Sequence, residues 1–267
     1  RRIAEAIDRL LPDEHDELAR HWFGAGVDDK GNEHLELAAR RDLEALAYES
    51  AADRYRALIN YHRGHDDLAP AARAWLGLGL AQRGMGLVVY REAIDEARRL
   101  ARRQRDPDLL ADTAIASIWP GTMFPVAGAT DTGMVELCED ALDLIAGDDP
   151  RRVRILSTLA SHLRFESERS GRSAMLDEAH TLARADGRPD LVGNVLVAEY
   201  LSLWDPTTSD RRARIAVEVA RAARATGDAD LTFFGGFFEA IGLAERCDVA
   251  SARNVLEHLS AAADATH

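Results

Sequence analysis

Lysine is all but missing from this sequence. Lys30 is the single one, and the other 32 basic side chains are arginine. A phosphate-gripping GxxxxGK[ST] loop needs a lysine after a glycine, whereas Lys30 follows Asp29, so the chain carries no P-loop. Acid outweighs base, 46 Asp and Glu against 33 Lys and Arg, for a net charge of −13. Nucleic-acid affinity comes mainly from clustered cations that displace condensed counterions, so this balance argues against a phosphate-binding surface. Cysteine is nearly as scarce. Cys138 and Cys247 lie far apart with no CxxC or Cys/His spacing, which leaves two buried free thiols as the expectation, in keeping with a reducing cytoplasm. There is no run of 18 apolar residues and no signal peptide, so neither a membrane span nor secretion is expected.

Signs of catalysis are missing too. The nine histidines form no metal constellation, and His62 and His65, in YHRGHDD, read as lone residues at a helix end. Carboxylates such as Asp8, Glu14, Asp95 and Glu96 fall on polar helix faces, where charge is ordinarily solvated. No GxSxG elbow marks a serine nucleophile. An all-helical enzyme would need convergent polar groups in a cleft, and no motif announces them. The expectation is a non-enzymatic chain without cofactor or metal.

What the chain does contain is self-similarity. LARADGRPDL (Leu182–Leu191) has near copies in LARRQRDPDL (Leu100–Leu109) and AARATGDADL (Ala222–Leu231), each matching it at six of ten positions. The copies begin at residues 100, 182 and 222, so a unit of roughly 41 residues is taken twice and then once, a period that signals a repeat array. Each copy reads as a helix end followed by a helix start. Gly187 and Gly227 suit the left-handed residue that closes a helix, and Pro107 and Pro189 suit the first turn of the next.

Apolar residues recur at helical spacing along almost the whole length, as in Val153, Leu156, Leu159, Ala160 and Leu163, and no period-2 run stands out. The pattern predicts helices at 2–11, 13–25, 32–46, 48–62, 67–85, 88–104, 107–118, 131–146, 150–169, 172–186, 189–204, 210–226, 229–246 and 248–264. Alanines such as Ala39, Ala51, Ala52, Ala93, Ala97, Ala179 and Ala223 recur where helix pairs should touch. The predicted fold is therefore all-α, a right-handed superhelix of tetratricopeptide-like hairpins with 13 to 14 helices. Trp75-x2-Leu78-Gly79 followed by Ala93-x3-Ala97 approximates the tetratricopeptide signature, although Gln82 stands at its tyrosine position. Residues 1–30 read as a helical lead-in from an upstream module, because RRIAEAIDRLL resembles the middle of a helix. Residues 31–267 read as one continuous array. Its longest connection, WPGTMFPVAGAT (119–130), has two prolines and two glycines that cannot continue a helix.

The sixteen aromatics are the candidate binding residues. Trp119 and Trp204 each end the helix after a copy of the decapeptide, Phe234 and Phe238 lie in FFGGFF of the equivalent helix, and Trp75 belongs to an earlier unit. Together with Phe124 and Tyr200 they would wall a concave groove if first helices line that face. The alternative is that they wedge helix layers together. In FFGGFF, two mid-helix glycines cost about 1 kcal/mol each relative to alanine, so tight packing or a kink near Gly235 and Gly236 should compensate, with something approaching closely there.

DELARHWFGAG (Asp16–Gly26) and LELAARRDLEALAYESAADRYRALI (Leu35–Ile59) are similar to the segment that follows the ATPase core in large bacterial signal-transduction ATPases with numerous domains, including LuxR-type and cyclase-linked regulators. LSLWDPTTSDRR (Leu201–Arg212) resembles a recurrent element of the same family. The resemblance implies a helical-repeat sensor arm that couples an ATPase switch to an output domain. Its partners would be a protein, its own ATPase and output modules, or a small-molecule inducer held on the concave face. A scaffold or dimerisation platform without a small-molecule site is the alternative, favoured if the groove is charged instead of aromatic.

Overall fold

A helix forms within each segment where the 3.6-residue pattern predicts one, although the segment predicted over 150–169 ends as α-helix at His162 and passes into a 3-10 turn at Leu163–Phe165, and no strand occurs among the described residues. The structure is a computed structural model, and it describes all residues except 66–67, 119–129, 166–168, 204 and 265–267. Fourteen α-helices follow in order among them: α1 Arg2–Leu10, α2 His15–Gly24, α3 Asp28–Glu44, α4 Tyr48–His65, α5 Leu68–Gly84, α6 Tyr90–Gln104, α7 Pro107–Ser117, α8 Thr132–Leu144, α9 Arg151–His162, α10 Arg169–Asp186, α11 Pro189–Ser202, α12 Ser209–Thr226, α13 Ala229–Glu245 and α14 Val249–Asp264. The chain divides into two compact units, Arg1–Ala116 and Ser117–His267.

The three decapeptides occupy matching corners. They join α6 to α7, α10 to α11 and α12 to α13. Gly187 and Gly227 take left-handed backbone, φ 80° and 69°, and their N–H groups donate to the Ala183 and Ala223 carbonyls. Asp106 and Asp228 then cap the next helix, accepting from the Leu109 and Leu231 N–H groups at 3.1 and 2.9 Å. In the second unit the step is constant: α10, α12 and α14 begin at residues 169, 209 and 249, and α11 and α13 at 189 and 229. The corners after α2, α3, α5 and α13 share another closure, with bonds from Val27 to Trp22, Ala47 to Asp42, Leu87 to Gln82 and Asp248 to Leu243 around a left-handed Gly26, Leu46, Gly86 or Cys247.

Small residues set the packing within each unit. In the first, the Tyr55 ring fills the space that a side chain on Gly77 would take, Tyr48 does the same at Gly84, and Ile94 at Gly79. In the second, Gly235 lies against the Ala220 backbone and Gly236 against Leu259, the close approach that FFGGFF requires. Arg212, buried, donates to the Leu203 and Asp205 carbonyls, both at 2.7 Å, and pairs with Glu245, so the turn after α11 is tied to α13. One period earlier Arg172 donates to the Leu163 and Arg164 carbonyls. The element LSLWDPTTSDRR is thus a repeat-closing clasp.

Three details depart from expectation. α3 begins at Asp28, not 32, because Gly31 offers a flat face to the Phe23 ring and Asn32 donates back to the Asp28 carbonyl. The lead-in boundary at residue 30 accordingly falls inside a helix. Cys138 is buried, but Cys247 is exposed, since it sits past the end of α13 as the left-handed corner residue, φ 64°.

Candidate functional site

α10 and α12 each turn a row at the i, i+3, i+4, i+7 spacing of one helix face to a common cleft: Asp177, His180, Thr181 and Arg184 on the first, and Arg211, Arg214 and Glu218 with the apolar Ile215 on the second. With Leu196 and Glu199 of α11 they line a cleft of about 500 Å³. Glu199 is its centre. One carboxylate oxygen pairs with His180 Nε2 at 2.8 Å, and the other accepts from Arg211 at 3.0 and 2.5 Å. The bond with His180, and then that with Arg211, hold the Glu199 carboxyl below its ordinary range against the opposing effect of burial. An ionised carboxylate with both oxygens engaged does not serve as a general acid. It is a strut joining three helices.

Around the strut, Arg184 and Arg214 line the cleft with exposed guanidiniums, and Asp177 and Glu218 with exposed carboxylates. Thr181 spends its hydroxyl on the Asp177 carbonyl, so it is not a free nucleophile. The arrangement can bind a segment of mixed charge through several ion pairs. A second groove, about 420 Å³ between α12 and α13, holds the counterparts one period on. Val217, Ala220 and Arg224 stand there for Asp177, His180 and Arg184, and Glu239 for Glu199. Of these two layers, the histidine–carboxylate–arginine strut belongs to the first.

The expected aromatic site is placed differently. Tyr200, Phe234 and Phe238 are buried together with Leu196, Ile215 and Val219 in the core of the second unit, so they act as wedges between helices, and Phe238 also lines the groove between α12 and α13. Burial wins because α11 is covered on nearly every face, and in α13 Leu231, Phe234, Gly235 and Phe238 form the one stripe that packs into the core. Trp75 is half-buried against the core of the first unit, with the Arg63 guanidinium 5.3 Å from its ring centroid. Trp119, Phe124 and Trp204 lie outside the described residues. The cleft residues carry no local motif. Their one sequence signal is a break in the 40-residue register, where His180 and Arg211 answer to Ala220 and Ser251.

Among the described residues no group of three or more His, Cys, Asp or Glu side chains is placed to hold a metal ion, and no helix is long and apolar enough to cross a membrane. The fold and the cleft define an all-α helical-repeat protein with a mixed-charge groove. No family model, curated protein or solved structure matches the chain.

Proposed function

We propose that this chain is a non-enzymatic helical-repeat interaction domain, the docking arm of a multidomain bacterial regulator. On this view it receives a charged segment of a protein partner, or of its own ATPase module, in the cleft between α10 and α12. One observation carries the proposal: Arg184, Arg214, Asp177 and Glu218 line that cleft, and among the described residues no Trp, Tyr or Phe lines it. Charged walls select partners by complementarity of sign and register more than by area. That favours the scaffold over the small-molecule sensor. The regulator context rests on the resemblance of Asp16–Gly26, Leu35–Ile59 and Leu201–Arg212 to the arm of signal-transduction ATPases.

Calorimetric titration of the ATPase module into this chain tests it. Wild-type protein should bind with an affinity that falls as salt rises, and Arg184→Glu with Arg214→Glu should weaken binding at least tenfold. Unchanged affinity in the double variant, or tight binding of an apolar inducer by the chain alone, would overturn the proposal.

A further inference from the structure

Polar contacts join α2 to the helices that follow it. Ala4, Leu18 and Trp22, with Ile7 and Val27, form a small apolar cluster of their own, which shares no residue with the larger core built from α3 to α6. The Phe23 ring lies on Gly31. Beside it Arg41 of α3 donates to the Asp13 carbonyl at 3.1 Å, Arg54 of α4 pairs with Asp16, and His15 meets His34. A segment with a small core of its own and polar ties to its neighbours opens more readily than the main core.

His15 is the first residue of α2, and His34, on α3, is buried. Their Nδ1 atoms are 3.4 Å apart and their ring centroids 5.6 Å, so the two nitrogens point at each other across the contact between the helices. A bond between two imidazole nitrogens needs one to donate and the other to accept. One proton therefore joins the pair, and a second sets two like charges against each other. Among the described residues no carboxylate pairs with either ring to neutralise that second charge. Asp16 pairs with Arg54 of α4, Glu17 with Arg20, and Glu36 with Arg40 and with Arg73 of α5, while Glu14 is exposed and Lys30 lies 4.3 Å over the Trp22 ring. Burial, then His15 and Lys30, lower the His34 pKa from the ordinary 6.5, against Asp8 of α1 and Glu33 of α3.

We infer that the His15–His34 couple is an acid-sensitive latch, which holds α2 on α3 near neutral pH and releases α1 and α2 when both imidazoles carry a proton. The sign follows from proton counting. Opening lets His34 take up the proton that burial and His15 deny it, so the closed state loses stability as the pH falls below 6.5. Release uncovers Leu18 and Trp22, both buried in the closed state, and so turns a drop in pH into new apolar surface. The latch belongs to the first unit and the α10–α12 cleft to the second, so the latch can fail while docking at the cleft stands.

Hydrogen exchange read by mass spectrometry is the test, with rates corrected for their intrinsic pH dependence and helical content by circular dichroism as the folding control. Between pH 7.5 and 5.5 the α2 amides from Leu18 to Trp22 should lose at least tenfold in protection, whereas those of α4 from Ala51 to Ile59 should keep theirs. His34→Gln should abolish the loss. His15→Gln, at the half-buried partner, should reduce it at least threefold. Protection of α2 that is independent of pH, an equal loss in α4, or a His15→Gln chain as acid-sensitive as wild type would overturn the inference.

Discussion

The Tyr200 and Phe238 rings lie face to face, their centroids 3.7 Å apart and 6° from parallel. Tyr200 is on α11 and Phe238 on α13, so the pair joins successive first helices of the repeat. The Arg212 guanidinium lies 5.9 Å from the Tyr200 centroid, which connects the stack to the clasp on the α11–α12 turn. Burial raises the Tyr200 phenol above its ordinary range, and the nearby Arg212 charge only partly offsets it. Phe238→Ala should destabilise the second unit by about 3–5 kcal/mol, and Phe238→Leu by clearly less. Urea unfolding measures both. A loss below about 1 kcal/mol for the alanine variant would remove Phe238 from the core.

That stack also marks how far the sequence could be read. Helix positions were legible because Gly187, Gly227, Pro107 and Pro189 punctuate an otherwise even 3.6-residue pattern, and the close approach at Gly235 and Gly236 followed from what two glycines cost a helix. The direction of the aromatics was not legible. Leu191, Val195, Leu196, Val197, Ala198, Tyr200 and Leu201 are all buried, so α11 is apolar nearly all round and its periodicity singles out no face. The cleft was hidden for a different reason. His180, Glu199 and Arg211 come from three helices and meet only through tertiary packing, and each alone reads as a solvated charge.

Arg105 stands where two other copies of the decapeptide have glycine. Its φ is 53°, against 80° at Gly187 and 69° at Gly227. A side chain in left-handed backbone costs roughly 1 kcal/mol. Arg105→Gly should therefore stabilise the first unit by about 0.5–1 kcal/mol, since the relief of strain exceeds the extra freedom given to the unfolded chain. Gly227→Ala should destabilise the second by a similar amount. Thermal melting of the two variants checks the pair, and two shifts of the same sign would refute the explanation.

His162, at the end of α9, is 1% exposed, and neither ring nitrogen has a hydrogen-bond partner among the described residues. Burial lowers its pKa from the ordinary 6.5; Asp131 opposes the shift and Arg164 adds to it. The imidazole is neutral when folded and gains a proton on unfolding below pH 6.5. The unfolded state then binds more protons, so stability is complete above about pH 6.5 and falls as the pH drops from there toward the folded value. His162→Leu removes two dry polar atoms at modest change of volume. It should raise stability by about 1–3 kcal/mol and flatten the stability profile below pH 6.5. An unchanged slope would mean that His162 does not titrate on unfolding.

Glu199 acts over a lower range. Its folded pKa is depressed below the ordinary 4.5 by His180 and then Arg211. Sign follows from proton counting: between the two values the unfolded carboxylate takes up a proton that the folded one refuses. The strut's contribution is therefore complete above about pH 4.5 and is lost as the pH falls through the folded value. Glu199→Gln should cost about 1–3 kcal/mol at pH 7, because the His180 and Arg211 donors lose an ionised acceptor, and should make the acid limb shallower. Asp149, lowered by Arg151, and Glu96, lowered by Arg99, keep their own acid dependence, so the limb should flatten without vanishing. Urea midpoints of wild type and variant from pH 7 to 3 decide it. Parallel acid limbs would show that the strut is no more than a surface contact.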